Sequence, residues 1–571
     1  MEELIKQYLE NSDPDTELEV RFGTKGKKIT KINYDNVIKK LKSIGFELAE
    51  NYSEERLRIM IDGKRVRCDI NGIDSISNYC KNDDIKKVKT VNYKFIEKRY
   101  IRNSDGTEVK PVDNSDFNFR VSYQSEKLIP NDLYDEIVSD WKTQKKTFRF
   151  INRISFIHPD VPYVKFDLTV VKTSTKKGGF YVPEFNIESS NVFNNPENYE
   201  IEIELLHTDD TIENVIKNMK KSIKHVLCGL QETNYPITET EQLQVLYNYK
   251  TLINNKKYLE PKKFTDSEYN EAKALQRDSR NFIGPNQITL QFSNIMKQNA
   301  GQVDNINNNY TVTEKADGLR KLMYINNEGK AYFITSNLEV QYTGMKVTFK
   351  EAFNTLLDGE HILYDKLKNY INLYAIFDVY FIQKVDKRAV PLFSETVDSR
   401  YSQLSDYVSS IYKKPEYFVN VVGNIKNSLK IQAKTFYGNK SQTIFQACKQ
   451  IMEYINEGLF PYETDGLIFT PATLGVGQEN SGDLIVNKKK TWKKCFKWKP
   501  PEFNTVDFLI STIKTSTGKD EVKDYIEEGI SSETIQEIQQ YKTIKLIVGY
   551  SEKYFNPLQN LIDDNLVVRN D

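Results

Sequence analysis

Excess charge of either sign is missing from this chain: 571 residues carry 80 Lys and Arg against 80 Asp and Glu. A nucleic-acid partner is therefore not announced by net charge, and any basic site has to be local. Cysteine is scarce. The five present (Cys68, Cys80, Cys228, Cys448, Cys495) are scattered, odd in number and form no C-x-x-C pair. That argues against a disulfide framework and a zinc ribbon, and for a reducing compartment. Four histidines leave little for a histidine-based metal site. No apolar run is long enough to span a bilayer. The opening MEELIKQYLENSDPD reads as a short amphipathic helix and not as a signal peptide.

What is present points to folded domains. A hydrophobic fraction of 39%, with Tyr and Phe scattered evenly, exceeds what disordered chains carry, and the length suggests three or four domains. No internal repeat or long low-complexity tract occurs. Residues 16 to about 235 alternate as strands in TELEVRFG, KRVRCDI, FNFRVSY, TFRFINRISF, YVKFDLTVV and YEIEIELL. Helices are expected over NYDNVIKKLKSIGF, with Asn33 as cap, and over TIENVIKNMKKSIKHVL. A polar connector with helical character occupies 236–264. From 265 to 500 strands (NYTVTEKADG, RKLMYIN, KAYFIT, NLYAIFDVYF, DGLIFTP, KCFKWKP) mix with helices expected over VTFKEAFNTLL and QTIFQACKQIMEYINEG. Residues 501–571 hold two or three strands, too few to close a barrel.

Strand residues two apart share a face. Glu17, Glu19 and Arg21 therefore line one face of their strand, and Glu200, Glu202 and Glu204 one face of theirs. Their neighbours Leu18, Val20, Ile201, Ile203 and Leu205 are apolar and face the other way. Arg65 and Arg67, Arg120, Arg153, and the trio Lys165, Asp167 and Thr169 add bases and polar groups on the same alternation. Either these are solvated faces of ordinary sheets, or apolar residues pack outward and the charges line an enclosed lumen. Such a lumen suits two tasks: carboxylate oxygens hold Mg²⁺ or Mn²⁺, and Arg and Lys clamp a polyphosphate.

The pairing of ELEVRF near the start with EIEIEL near the end of this region resembles the triphosphate tunnel metalloenzymes, in particular RNA 5′-triphosphatases of fungal and large-DNA-virus type. The resemblance implies Glu17, Glu19, Glu200, Glu202 and Glu204 as metal ligands. It implies Arg67, Lys98, Arg120, Arg153 and Lys165 as triphosphate contacts, with Asp167 orienting water or metal.

A second constellation begins at Lys315, in NYTVTEKADGLRKLMYIN. The lysine reads as standing at the tip of a β-hairpin turned by Asp317-Gly318. K-x-D-G is weak alone, but an ordered set follows: LLDGEHI with Glu360, YAIFDVYF with Phe377 and Asp378, ETDGLIFTP with Glu463 and Asp465, and FKWKPP with Lys497 and Lys499. This order resembles the covalent nucleotidyltransferases, the mRNA capping enzymes and ATP-dependent ligases. A deprotonated lysine attacks the α-phosphate of a nucleoside triphosphate and forms a phosphoramidate. The resemblance makes Lys315 that nucleophile. It places Arg320, Glu360, Phe377, Lys434, Asp465, Lys497 and Lys499 around GTP: Phe377 stacking on the base, Lys434 contacting guanine, Lys497 and Lys499 lowering the nucleophile's pKa.

GPNQITL before the lysine, with DGLIFTP and KWKP after it, looks like the capping enzymes of poxviruses, asfarviruses, other large DNA viruses and cytoplasmic linear plasmids. The implied fold is multidomain α+β: a triphosphatase β-tunnel over 1–235, a linker over 236–264, a guanylyltransferase domain over 265–500 and a partial OB fold over 501–571. The implied partners are 5′-triphosphate RNA, GTP, a cap methyltransferase domain or subunit and RNA polymerase, without a membrane. The implied setting is the cytoplasm, a viral factory or a virion. The alternatives are an ATP-dependent RNA ligase or repair enzyme, and a non-catalytic RNA-binding scaffold. ATLGVGQENSG is glycine-rich, but it does not join a strand to a helix start and reads as an ordinary loop. The run NKKKTWKKCFKWKP offers bases and aromatics to guide RNA phosphates. The family's late Arg-and-Lys motif has no match, VVRND included. The expectation is a fragment, or a partner that supplies the rest.

Overall fold

The computed structural model shows two units, residues 1–497 and 498–571. It describes residues 1–549 except positions 12, 26, 104, 506, 517 and 519 and segments 255–263, 297–303, 395–397, 414–417, 421–428, 439–441 and 527–537. The terminal VVRND lies outside the described residues.

The chain opens with α1 (Glu2–Glu10), β1 (Thr16–Phe22) and α2 (Lys31–Ser43). Next come β2 (Glu47–Ile61), β3 (Val66–Asn71), α3 (Ile73–Asn82), β4 (Tyr93–Tyr100), β5 (Val112–Asn114) and β6 (Phe119–Leu128). Then follow α4 (Asn131–Ser139), β7 (Lys146–His158), β8 (Val161–Thr173), the short β9 (Lys176–Lys177) and β10 (Phe180–Tyr181), β11 (Asn198–Leu205) and α5 (Ile212–Gln231). Eight strands run in the order β1, β11, β8, β7, β2, β3, β4, β6, and β6 returns to β1, so the antiparallel sheet closes on itself. β2 and β4 belong to this wall although their alternation was not singled out in the sequence.

Closure converts alternation into an outside and an inside. Leu18, Val20, Phe166, Leu168, Ile201 and Ile203 are buried on the outer wall, packed with Val37 and Leu41 of α2 and Val215, Met219 and Val226 of α5. Each such aliphatic stabilises the fold by roughly 1.5–3 kcal/mol. The two helices cross closely because Gly229 has no side chain: a Cβ there would lie 2.7 Å from the Val37 Cα. The cap of α2 is Thr30, whose hydroxyl accepts from the Asn33 amide, so Asn33 is the third helical residue closing a capping box and not the cap itself.

The second half begins with α6 (Glu239–Ile253) and α7 (Asp266–Gln276). Val245, Leu246, Tyr249 and Leu252 of α6 pack with Leu322, Tyr324, Tyr332 and Ile334. The described part of the supposed connector is therefore core, its polar letters forming the helix's outer face. The strands are β12 (Asn286–Thr289), β13 (Tyr310–Ala316), β14 (Leu319–Ile325), β15 (Lys330–Thr335), β16 (Val340–Val347), β17 (Thr355–Tyr364) and β18 (Tyr370–Ile382). The chain continues with β19 (Val385–Asp386), α8 (Arg400–Lys413), β20 (Phe418–Asn420), β21 (Lys430–Ala433), α9 (Ile444–Asn456), β22 (Thr464–Pro471) and β23 (Thr491–Trp498). They make two sheets. One runs β12, β23, β22, β13; the other runs β19, β18, β17, β14, β15, β16, β20, with β21 parallel beside β18.

Two expectations are corrected here. β13 pairs with β22 and β14 with β15 and β17, so Asp317-Gly318 crosses from one sheet to the other and no hairpin exists. The helix expected over VTFKEAFNTLL is a single 3₁₀ turn at Lys350–Ala352, and its last residues enter β17. β17 is hydrogen-bonded on both edges, and that pairing overrides the local helical spacing.

In residues 498–571 the described strands form two antiparallel pairs, β24 (Leu509–Thr512) with β27 (Ile544–Ile547) and β25 (Val522–Ile526) with β26 (Ile538–Lys542). No described helix is long and apolar enough to cross a membrane.

Candidate functional site

The barrel encloses a cavity of about 190 Å³, walled almost entirely by charge. Glu17, Glu19, Glu200, Glu202, Glu204, Arg67, Lys98, Arg153 and Lys165 all line it, as the alternation implied. The charges are sorted along the axis. Toward one end the Lys98 ammonium sits among three carboxylates, 3.1 Å from Glu17, 3.2 Å from Glu19 and 3.0 Å from Glu126. Glu19 stands directly opposite Glu204 across β1 and β11, a like-charge pair that destabilises a sheet unless a cation attends it. Lys165 attends Glu204. Toward the other end arginines prevail. Arg149 donates to both Glu200 oxygens at 2.9 Å, and Glu202 lies between Arg21 at 2.7 Å and Arg153 at 3.6 Å.

Burial pushes the Glu17 carboxyl up to about 8, Lys98 opposing and Glu19, Glu126 and Glu204 reinforcing the rise. Burial works against Glu126 too, yet Lys98 and Arg67 outweigh it and hold that carboxyl near 2. Four carboxyl groups, Glu17, Glu19, Glu126 and Glu204, thus share this end with Lys98, Arg67 and Lys165. Its donors are all hard oxygens, which suits Mg²⁺ or Mn²⁺. Among the described residues no three acidic, His or Cys groups are gathered into a ready metal cage; the point they share is filled by Lys98. Glu17, Glu19 and Glu204 are the donors at this end that fit a cation once Lys98 and Lys165 give way, while Glu200 and Glu202 are engaged by Arg149, Arg21 and Arg153.

Two expected triphosphate contacts sit elsewhere. Arg120 shares the inward parity of β6, but its guanidinium donates to Asp113 at 2.8 and 3.1 Å and does not line the cavity. Asp167 faces inward with Lys165 and Thr169 but is buried beneath the lining, accepting from Ser155 at 2.6 Å and Arg153 at 2.8 Å. The lumen adds Arg56, Arg58, Lys94, Glu126 and Arg149. Arg149 is four residues before Arg153 on one strand and so on its face, a signal that could have found it. Arg65 is exposed at the turn before β3.

A second cavity, about 210 Å³, lies between the two sheets. The small sheet contributes Thr313, Lys315, Thr470, Trp492 and Cys495; the large one contributes Arg320, Asp358, Glu360, Phe377 and Tyr380; Lys434 closes the floor. Lys315 reaches the cleft because the chain changes sheets just after it. Gly318 makes the crossing possible, since a Cβ there would lie 2.7 Å from Glu360 Cγ. Lys315 Nζ donates to Asp465 at 2.6 Å. Lys434 donates to the Glu314 carbonyl at 2.6 Å and pairs with its carboxylate at 3.0 Å, and Tyr462 and Thr313 hydroxyls donate to the same carboxylate. Burial pushes Glu360 up to about 7, against Lys434, Arg320 and Lys315.

Arg320 is fully engaged. It donates to Asp358 at 3.1 and 2.5 Å and to the Pro285 carbonyl at 2.6 Å, with its guanidinium 5.5 Å from the Phe377 ring. Asp358, two residues before Glu360, also accepts from Tyr380. The sequence reading passed over it. Lys497 lies on β23 but does not line the cavity, so the cations expected to flank Lys315 are replaced, in this unit, by the Asp465 carboxylate. Lys499 belongs to residues 498–571. The glycine-rich loop contributes Val476 to the wall.

Comparison with known proteins gives a family match and several relatives. The family model described as mRNA capping enzyme, catalytic domain, matches residues 210–501, just over half of the chain. A probable mRNA-capping enzyme of Acanthamoeba polyphaga mimivirus is 28% identical over 393 residues, 63% of this chain and 29% of that protein. An mRNA-capping enzyme of Danio rerio is 26% identical over 223 residues, 36% of this chain and 32% of that protein. The chain thus spans about a third of the length of these two relatives. The crystal structure of the RNA triphosphatase domain of a trifunctional mimivirus mRNA capping enzyme overlaps 39% of this chain and 94% of its own, at 18% identity and a TM-score of 0.28, and adds nothing to the topology above.

Proposed function

We propose, from the premise that the chain belongs to the mRNA capping enzyme family, that it carries out two consecutive steps on one RNA 5′ end. The first removes the γ-phosphate from triphosphate-ended RNA in the tunnel. The second transfers GMP from GTP through Lys315 to the resulting diphosphate end. The observation that carries this reading is that one compact unit holds both a closed lumen of paired acids and bases and Lys315 on the wall of a cleft between two sheets.

In the tunnel, Arg21, Arg67, Arg149, Arg153, Lys98 and Lys165 would hold phosphate oxygens and orient the γ-phosphate. Glu17, Glu19 and Glu204 would hold Mg²⁺ or Mn²⁺, which supplies charge neutralisation for the attacked phosphate. Asp167 fixes the direction of Arg153. In the cleft, the Lys315 amine attacks the α-phosphorus of GTP, a P–N bond forms and pyrophosphate leaves. The diphosphate oxygen of RNA then attacks the same phosphorus and the P–N bond breaks. Asp465 aims the Lys315 nitrogen, the free face of Phe377 takes the base, Lys434 reaches guanine, and Arg320, held by Asp358, supports Phe377. The resemblance assigns Lys497 and Lys499 to the leaving phosphates. A cap methyltransferase and RNA polymerase are the partners the family suggests, in a cytoplasmic setting.

Triphosphate-ended RNA and α-labelled GTP test both steps. Glu19→Ala with Glu204→Ala should abolish phosphate release and leave covalent GMP formation intact. Lys315→Ala should do the reverse. Covalent label from ATP but not GTP rejects capping in favour of a ligase. Retained release in the double glutamate variant removes the tunnel assignment.

A further inference from the structure

We propose that the excursion between β8 and β11, residues 174–197, is a stacking platform for single-stranded RNA at one mouth of the tunnel. The inference rests on the tunnel being an RNA triphosphatase site and adds where the nucleotides behind the triphosphate run.

Strand registers place the excursion. β8 ends at Thr173, opposite Arg149 on β7, and Arg149 holds Glu200 inside the lumen. The excursion therefore rises from the arginine end. It begins with the hairpin of β9 and β10, turned by Gly178 and Gly179 with φ of 60° and 88°. Farther along, Ile187 and Val192 are buried with Phe148 and Trp141 on the outer wall. The segment is thus anchored while its tip is not.

The hairpin presents Phe180, 81% exposed, and Tyr181, 37%, to water, and Phe185, 48% exposed, follows where the bridge between Glu184 and Lys146 ties the segment to β7. Single exposed apolar residues are ordinary, but three within six positions mark a binding surface. Lysines attend two of them, Lys176 at 4.4 Å from the Tyr181 ring centre and Lys145 at 5.4 Å from that of Phe185. Rings alternating with ammonium groups are what unpaired bases and their phosphates require, and such stacking tolerates any sequence. Glu184, Glu188 and Glu197 keep the excursion near neutral, so the attraction is local to these pairs. RNA is favoured over a protein because the rings adjoin cations at the mouth that leads to Arg149.

That mouth also faces the second site. β1 and β8 run in the same direction, each antiparallel to β11, so the loop after β1 lies at the same end. Its Lys27 pairs at 3.1 Å with Glu339 of the nucleotide-binding half. An RNA end leaving this mouth emerges beside the body that carries Lys315.

The test uses the full chain with Phe180→Ala plus Phe185→Ala, and separately Lys176→Ala plus Lys177→Ala. Anisotropy with short 5′-hydroxyl single-stranded RNA should show affinity falling on the order of tenfold in the ring variant. The lysine variant should lose salt dependence, by about 0.7 in slope for each phosphate contact. Phosphate release from triphosphate-ended RNA should show KM raised by the same factor with kcat unchanged, while release from free GTP stays as in wild type. Unchanged RNA affinity and KM overturn the platform, leave the rings to a protein partner and leave the tunnel reading standing. Equal losses on RNA and GTP make the excursion a brace for the barrel and overturn it as well. Absence of phosphate release from RNA by the wild type overturns the tunnel reading and the platform with it.

Discussion

Removing one charge from the Glu314–Lys434 pair should separate stability from chemistry in the nucleotide cleft. The two side chains are 2% and 5% exposed and 3.0 Å apart. Lys434 also donates to the Glu314 backbone carbonyl at 2.6 Å, and the Tyr462 hydroxyl donates to the carboxylate at 2.9 Å. Glu314→Gln keeps the volume and one acceptor but leaves the ammonium buried without a counter-charge. Breaking a buried pair from one side costs about 3–5 kcal/mol. The retained carbonyl contact places the expectation near the lower end, about 3 kcal/mol, or roughly two orders of magnitude in the local opening constant. Global unfolding of so large a chain is not two-state, so the measurement is amide exchange of β13 and β21 against urea, beside covalent labelling by α-labelled GTP. Glu314→Gln with Lys434→Met replaces both charges and should recover exchange protection to within about 1 kcal/mol without recovering label. A Glu314→Gln variant indistinguishable from wild type in exchange refutes the claim that the pair is buried and coupled. A double variant that labels normally refutes the role given to Lys434.

Three further outcomes follow from the same geometry. Asp358→Asn releases Arg320 from its carboxylate and should raise the KM for GTP at least tenfold in the labelling assay, with phosphate release from RNA unaffected. Gly318→Ala sets a methyl against Glu360 Cγ, 2.7 Å away, and should likewise reduce GMP labelling alone. Lys321 is buried beside Gln341 and His361, and burial lowers its pKa from 10.5 to about 8. The folded chain then binds fewer protons than the unfolded chain between those values, so stability rises with pH across that window and the penalty is constant below about 8. The advantage of Lys321→Met, read as a difference in apparent thermal midpoint, should accordingly shrink as pH rises from 8 to 10.5, the linkage term amounting to about 3 kcal/mol; a pH-independent difference denies the burial.

Much of this was legible because closed barrels turn a period of two into a sorted interior. ELEVR and EIEIEL left a solvated sheet and a lumen both open, and their apolar partners prove to be the outer wall. Pairing was not legible. Nothing near Lys315 tells that β13 bonds to a strand some 150 residues later, and an Asp-Gly step between alternating runs reads locally as a hairpin. The helix expected at VTFKEAFNTLL failed for the same reason, since β17 takes its conformation from two neighbours distant in sequence. Arg120 and Arg149 were exchanged because parity says which face a side chain shares, not how far along the axis it lies or whether an edge strand such as β5 claims it. Asp358 escaped notice as a buried partner of Arg320, a role with no local pattern.

The sorting of the lumen has a chemical consequence. Lys98, Lys165, Arg21, Arg67, Arg149 and Arg153 each face a carboxylate within 4 Å. A polyphosphate entering this lumen finds these six cations already engaged; to bind them it must exchange partners with acidic side chains. Every exchange strands a carboxylate in a confined space, where an unpaired charge is costly. Near Lys98 the stranded groups are Glu17, Glu19 and Glu126, and burial already pushes the Glu17 carboxyl up to about 8, with Glu19 and Glu126 adding to the rise. Anion binding and divalent-cation binding therefore relieve one another, each supplying the partner the other displaces. A singly charged anion completes fewer of these exchanges than a polyphosphate does, so under the proposed function the arrangement would favour the more highly charged end.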